Sequence, residues 1–514
     1  MPATTPKIGD NKRIAKNTMM LYFRMLLTMG VSLYTSRVVL NTLGVSDYGI
    51  YNLAGGVTAM FAFLNSSMSG ATSRFLTFEL GLNDVAKLKK TFSAALTIHL
   101  LIAAAIFFLG ETVGLWFLEN KLIIPVDRMS TARWVYQLSI LSTMVTITQV
   151  PYNATIIAHE RMNVYAYVEI LNCFLKLGIV YLLVIGHFDK LLLYAVLVLC
   201  ISIIIALIYR IYCVKNFPES KYKWGWDKEI IYPMLSFSGW NMYGTMAYTV
   251  KTQGVNILLN LFFGVIVNAA YGVATQAQNA VQSFSNNFLT AVNPQIVKHY
   301  AQGEIEKMQN LVINASKLSF LLLFLISFPL IVENHFILNL WLKKVPDYAV
   351  DFCRLNLISG LMTGMFTVLT YAIFATGKIK SFSIISGTIY VMVLPISYFL
   401  LKNGFSPIIP FIINIVLLFI GYMNNIRILN KLIPKFSISK FFINVVFSCI
   451  VTITLASLLP MYFHFSLNEG WVRLILVGVT SVLSTLLFGY FIVLDADMRS
   501  KLTNMFLSRI KKTH

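Results

Sequence analysis

The sequence predicts an all-α polytopic membrane protein with about fourteen transmembrane helices, and three observations carry that reading. The 514 residues are 57% hydrophobic and only 12% charged, about half the roughly 25% charge of a water-facing surface. Apolar runs of about 20 residues, the length that crosses the hydrocarbon core, recur along the whole chain. The charges are lopsided, 41 Lys plus Arg against 21 Asp plus Glu for a formal +20, and the cations fall mainly in alternate loops. A soluble multi-domain enzyme, a disordered chain and a disulfide-stapled scaffold are thereby excluded. In so apolar a chain the cationic excess reads as cytoplasmic loops, so no nucleic-acid partner is expected.

The elements follow in order. The first 18 residues are polar and basic, and the run 19–41 behind them is too long and too polar within for a signal-peptide core. It is expected to remain as the first span. The run 48–72 is rich in Ser, Asn, Gly and Thr, whereas 91–118, 134–157, 163–186 and 191–213 are plainer apolar stretches. The runs 232–262 and 265–292 are crowded with amides, hydroxyls and tyrosines and are separated at the uncharged turn Phe262-Phe263-Gly264. Four more runs, 314–340, 352–376, 380–401 and 405–429, precede the last two, 440–463 and 471–494. Pro151, Pro329, Pro395, Pro407 and Pro410 are expected to kink spans whose freed carbonyls find other partners. The five cysteines show no paired spacing and read as buried free thiols.

Charge sets the orientation. With the N-terminus inside, 28 of the 41 cations fall in inner segments and nine in outer loops. That asymmetry predicts both termini in the cytoplasm and an even span number. The other four, Arg24, Arg37, Lys176 and Lys251, fall inside spans.

Spans 1–2 and 7–8 share an outline. Leu43-Gly44-Val45 is followed by Tyr48-Gly49-Ile50 and a small, polar helix ending near Arg74; Phe263-Gly264-Val265 is followed by Tyr271-Gly272-Val273 and a Gln/Asn/Ser-rich helix. Six spans lie between them, so the offset preserves orientation and implies a parallel repeat of six plus six. The expected organisation is an N-terminal bundle over 1–213, a cytoplasmic linker over 214–231, a second bundle over 232–429, and two further helices with a basic tail over 430–514. Two bundles facing a central cavity would result. The polar row of the second helix in each copy fits either close helix packing or a wet lumen.

The stretch Arg37-Val-Val-Leu-Asn-Thr-Leu-Gly-Val-Ser-Asp-Tyr-Gly-Ile-Tyr51, opening out of a basic N-terminus, resembles Wzx-type polysaccharide flippases. Those belong to the superfamily that also holds lipid II flippases and multidrug exporters. With the fourteen spans, the repeat and the two extra helices, the resemblance covers nearly the whole chain. It implies a carrier, not an enzyme, that moves an oligosaccharide on undecaprenyl diphosphate between leaflets by alternating access. It further implies membrane lipids, a glycan polymerase and glycosyltransferases as partners, and no cofactor.

The cations at depth fit that expectation. A Lys or Arg at the membrane centre costs about 2.5–3.5 kcal/mol on insertion scales, and the carboxylates inside spans are Glu111, Glu169 and Glu333. An anionic ligand such as a diphosphate would meet the excess. Arg24 and Arg37 lie near opposite ends of span 1, roughly 20 Å apart at 1.5 Å per residue. Lys176 and Lys251 lie nearer the middle, and Arg74 stands at the inner end of span 2. These five are the candidate diphosphate contacts. Snorkelling competes for Arg24 and Arg37, an ion pair with Glu169 for Lys176, and a topological anchor for Arg74. A cation-coupled multidrug exporter is the rival reading. It would want a buried carboxylate in span 1 or 7, where this chain has none.

Overall fold

The computed structural model describes residues 17–31, 62–120, 124–183, 189–342, 345–495 and 499–500, with isolated positions between 34 and 51. Among them every regular element is helical, as required where lipid offers the backbone no hydrogen-bond partner. The chain forms two compact units, Met1–Met242 and Tyr243–His514.

The first unit holds α1 (17–31), α2 (Ala62–Leu82), α3 (Val85–Leu109), α4 (Leu115–Asn120), α5 (Met129–Ala158), α6 (Met162–Leu182) and α7 (Lys190–Asn216). The division falls inside α8 (Lys228–Phe263). The second unit continues with α9 (Val265–Ala301), α10 (Ile305–Val332), α11 (Asn334–Leu342), α12 (Ala349–Ala375), α13 (Lys380–Lys402) and α14 (Ile409–Leu432). It closes with α15 (Ile438–Phe441), α16 (Ser448–Ser466) and α17 (Trp471–Phe488). Among the described residues, eight helical stretches are long and apolar enough to cross a membrane by themselves; α8 and α9 are not among them because amides and hydroxyls dilute their hydropathy. The protein is a multi-pass, all-α membrane protein.

The packing shows the repeat plainly. In the first unit α2 packs on α3 and α5, α3 on α5, α5 on α7, and α6 on α7. In the second, α9 packs on α10 and α12, α10 on α12, α12 on α14, and α13 on α14. Even the first helix of each copy has the same neighbour. Asn17, Arg24 and Thr28 meet Glu160, Tyr165 and Cys173, so α1 runs parallel to α6. Tyr248 and Phe262 meet Tyr390 and Tyr398, so α8 runs parallel to α13.

The turns repeat as well. Asn83 (φ 57°) and Gly303 (φ 73°) both adopt left-handed backbone, followed by the acidic Asp84 or Glu304 and, three residues on, Lys87 or Lys307. Glu160 (φ 59°) and Gly377 (φ 75°) occupy the next corresponding turn. The pairs 44/264 and 83/303 share one offset of 220 residues.

Because lipid tails are as apolar as leucine, faces that meet must gain something beyond apolarity. Here they carry serine pairs, Ser142 with Ser202 at 2.7 Å and Ser285 with Ser319 at 2.6 Å. Small residues also admit close approach: a Cβ on Gly364 would come within 2.3 Å of Leu323 Cδ1.

Several expectations need correction. The helix of the second run does not stop at 72 but continues to Leu82, carrying Arg74 and Glu79 beyond its apolar part. The run 314–340 is broken at Glu333 into α10 and α11. Pro407 and Pro410 do not interrupt a span: α14 begins at Ile409 with Pro410 in its first turn, where a missing N–H costs nothing. Four cysteines are buried, but Cys200 is exposed on α7.

Candidate functional site

Lys251 lies mid-way along α8, on the side that faces α13 and α14. Its Nζ donates to Asn414 Oδ1 at 3.0 Å and sits 4.9 Å and 5.7 Å from the ring centres of Tyr248 and Tyr390. Among the described residues this ammonium meets an amide and two aromatic faces and no carboxylate. The two rings pack edge to face at 5.5 Å, which fixes the aromatic wall against which the cation rests.

Tyr248 also borders a cavity of about 750 Å³. α8 contributes Thr252, Gln253 and Asn256 to its lining at helical spacing, and α9 contributes Tyr271, Thr275, Gln276 and Asn279. Among the described residues no charged side chain lines it. Tyr271 Oη donates to the Thr252 carbonyl at 3.1 Å, joining the two walls. Amides, hydroxyls and tyrosine rings offer donors, acceptors and flat apolar faces together, the chemistry that a hydroxyl-rich neutral group needs.

The polar row of α9 therefore divides by face. Gln276 and Asn279 line the cavity, whereas Gln278 donates to Ser359 Oγ at 3.3 Å and Gln282 lies against Gly360, both on α12. In the first unit the corresponding row of α2 is engaged in helix packing. Ser67 Oγ donates to the Ser238 carbonyl at 2.6 Å, and Asn241 Nδ2 to the Ser67 carbonyl at 3.3 Å.

The remaining candidate cations are placed as follows. The Arg24 guanidinium lies over the Tyr165 ring at 4.8 Å. Tyr209 Oη donates to Glu169 Oε1 at 3.2 Å, and the charges of Arg24 and Glu169 both reach the Tyr165 and Tyr209 hydroxyls. Glu169 thus faces α1 and α7. Lys176 is exposed on α6 and has no ion pair among the described residues. Arg74 stacks over Phe75 and Phe78, each at 4.6 Å. Arg37 lies outside the described residues. Arg24, Arg74 and Lys176 belong to the first unit and Lys251 to the second.

Two ionic clusters were missed because their arginines, Arg128 and Arg473, read as loop charges. Arg128 donates to Asp47 at 2.5 and 3.1 Å and to Asp189 at 2.7 and 3.3 Å. Burial pushes the Asp189 carboxyl up, but Arg128 and the amides of Leu191 and Leu192 outweigh it and hold it below the usual range. In the second unit, the fully buried Glu333 accepts from Arg473 Nε and Nη2 at 3.0 and 2.8 Å and pairs with His464 Nδ1 at 2.8 Å. Lys317 pairs with Asp495 at 2.8 Å. The start of α17 and the segment that follows its C-terminal end are therefore fastened to α10 at two points about 24 Å apart along α10.

The fold has clear counterparts among solved structures. A multidrug resistance MATE family transporter of the MOP superfamily, in an outward-facing conformation, superposes with a TM-score of 0.69 over 84% of this chain and 100% of its own, at 13% identity. A MATE structure in the bent conformation gives 0.70 over 84% and 99%, also at 13% identity. A MOP superfamily transporter from Pyrococcus furiosus Vc1, described by a binding pocket of reverse polarity that suggests a different function, gives 0.67 over 84% and 99%, at 13% identity. No curated protein sequence matches significantly. The chain thus shares its fold, two repeat halves built of helices, with these solved transporters. The chain belongs to the polysaccharide biosynthesis protein family, whose sequence profile matches residues 14–300, more than half of its length.

Proposed function

We propose that the protein is a flippase that moves an oligosaccharide, carried on undecaprenyl diphosphate, from the inner to the outer leaflet of a bacterial inner membrane by alternating access of its repeat halves. The observation that carries the reading is Lys251. It is an ammonium on α8 held by neutral partners, next to a cavity lined by amides, hydroxyls and tyrosines. A diphosphate supplies the charge that Lys251 lacks, and the uncharged lining suits sugar hydroxyls. Membership of a polysaccharide biosynthesis family supports the substrate class. A cationic drug would meet the wrong sign of charge here, and the Pyrococcus furiosus transporter offers a case in which the polarity of such a pocket is reversed on this fold. Arg24 and Arg74 are proposed as further diphosphate contacts, with Arg37 and Lys176 as weaker candidates.

The test is complementation. In a strain lacking the gene, Lys251→Gln should abolish surface polysaccharide while membrane levels stay normal, and Lys251→Arg should retain part of it. Full surface polysaccharide from Lys251→Gln would sink the proposal, as would drug resistance conferred by the native chain without any effect on glycan export.

A further inference from the structure

The connection from α7 to α8, residues 217–227, is irregular for most of its length, yet the first unit holds it in place throughout. At its start the Phe217 ring stacks on His159 at 4.2 Å, and Glu219, 3% exposed, pairs with the same histidine. Further on, Tyr222 Oη and Thr97 Oγ1 share a hydrogen bond of 3.1 Å, and the Lys223 amide donates to Ser93 Oγ at 3.3 Å. At its end Asp227 pairs with Lys90 at 3.3 Å and accepts from the Glu229 amide at 3.1 Å as α8 begins. Ser93 and Thr97 stand three and seven residues beyond Lys90, the last charge before the apolar part of α3. At 1.5 Å per residue, the segment lies about 4–10 Å inside the polar end of a helix long enough to span. That is the level at which lipid headgroups meet the first acyl carbons, where tryptophan and tyrosine rings settle.

What the pinned segment leaves outward is chemically mixed. Trp224 is 74% and Trp226 51% exposed, and Trp224 rests edge to face on Tyr222 at 6.5 Å. Lys221, Lys223 and Lys228 are exposed beside them, as is Lys89, whose charge reaches Glu219 from α3. None of these four lysines is in an ion pair among the described residues, because the neighbouring acids are engaged elsewhere. Glu79 pairs with Lys87, Asp227 with Lys90 and Glu219 with His159. Glu229, exposed on the first turn of α8, offsets one of the four charges and leaves the surface positive. An indole presents an apolar body with a polar edge, and a lysine stem lets its ammonium reach a phosphate from an apolar surface.

We propose that this segment is a binding surface for anionic phospholipid. Lys89, Lys221, Lys223 and Lys228 hold the headgroup phosphates, while Trp224 and Trp226 settle among the glycerol and upper acyl carbons. Each ammonium near an anionic leaflet adds to the attraction, and the effect fades within a Debye length. The connection between α7 and α8 is thereby seated on the leaflet it faces.

The experiment is native mass spectrometry of the full-length protein in neutral detergent, offered equal amounts of phosphatidylglycerol and phosphatidylcholine with the same chains. The native chain should retain phosphatidylglycerol in preference by about ten-fold, and about 0.5 M salt before desalting should erase most of that preference. Lys221→Gln, Lys223→Gln and Lys228→Gln together should reduce it to about two-fold or less, while the same three positions changed to Arg should keep it. Removing three exposed lysines where no tryptophan stands, Lys431→Gln, Lys435→Gln and Lys440→Gln, should leave it nearly intact. Trp224→Ala with Trp226→Ala should lower retention of phosphatidylglycerol several-fold at unchanged charge. Each variant is first shown to unfold at the native temperature with a thiol-reactive dye; the Arg variant serves if the Gln variant does not. Absence of a preference in the native chain, an equal loss in the control triple, or a tryptophan variant that binds as the native chain does overturns the proposal. So does poly-glutamate competing as well as phosphatidylglycerol, which would assign the surface to an acidic protein. The solute carried by the protein enters none of these outcomes, so this test and the complementation test fail separately.

Discussion

The ionic cluster at the head of α17 makes a quantitative demand. Glu333 is 0% exposed and Arg473 11%. Breaking a buried pair by removing one partner costs about 3–5 kcal/mol, because the survivor stays buried and uncompensated. In Glu333→Gln the arginine keeps Glu469 at 3.6 Å and the Leu467 carbonyl at 3.5 Å, which places the cost near the lower end, about 3 kcal/mol. Arg473→Met leaves Glu333 with His464 alone and should cost as much or more. Removing both partners leaves no orphaned charge, so the double variant should be less destabilised than the two singles summed, by about 2 kcal/mol. Unfolding followed with a thiol-reactive dye suits this chain, since four of its five cysteines are buried and are exposed only on unfolding. In the segment after α17, Asp495 is 52% exposed, and the same cycle on Lys317 and Asp495 should give a coupling of about 1 kcal/mol or less. Strict additivity at Glu333 and Arg473, within about 0.5 kcal/mol, would refute the claim that this pair fastens α17.

Two further outcomes are expected. Gly364→Ala places a methyl 2.3 Å from Leu323 Cδ1, a side chain only 1% exposed; it should cost about 1–3 kcal/mol, and Leu323→Val in the same chain should recover part of that in the same unfolding assay. Outside the spanning helices, Glu219 is paired with His159 at 2.5 Å. Burial pushes its carboxyl up, yet the His159 bond, a backbone amide and the charges of His159 and Lys89 hold it below the ordinary value of 4.5. Its contribution to stability is complete above 4.5 and is lost as the pH falls through the lower folded value. Glu219→Gln should therefore lower the melting temperature at neutral pH, and the gap to the native chain should close in acid. A gap that widened on acidification would contradict the assignment.

Much of the fold was legible because membrane-spanning helices announce themselves by length and apolarity. The turn at Gly264 falls where an uncharged Phe-Phe-Gly interrupts the polar run, and the residue has φ 75°. The break at Glu333 was not legible from hydropathy, since apolar residues flank it on both sides. Its signal was the register: Glu111 stands at the matching point of the first copy. The same register links Asn83 to Gly303, a stronger repeat mark than the tyrosines that suggested it. Arg128 and Arg473 were counted as loop cations because nothing local separates a solvated arginine from one whose partner is 81 or 140 residues away. The polar row of α9 was correctly seen as ambiguous; which amides pack and which line a cavity depends on the neighbouring helix and not on composition.

The separation between Glu333 and Arg473 bears on how the chain is made. Arg473 lies 140 residues after Glu333, which at about 5–20 residues per second means a delay of roughly 7–28 s during synthesis. Throughout that interval α10 has been released toward the bilayer with a carboxylate whose partner does not yet exist. It must wait sheltered by the insertion machinery until α17 emerges. A ribosome stalled before α17 would leave a nascent chain with that acid exposed, a handle by which quality control can tell an unfinished protein from a finished one.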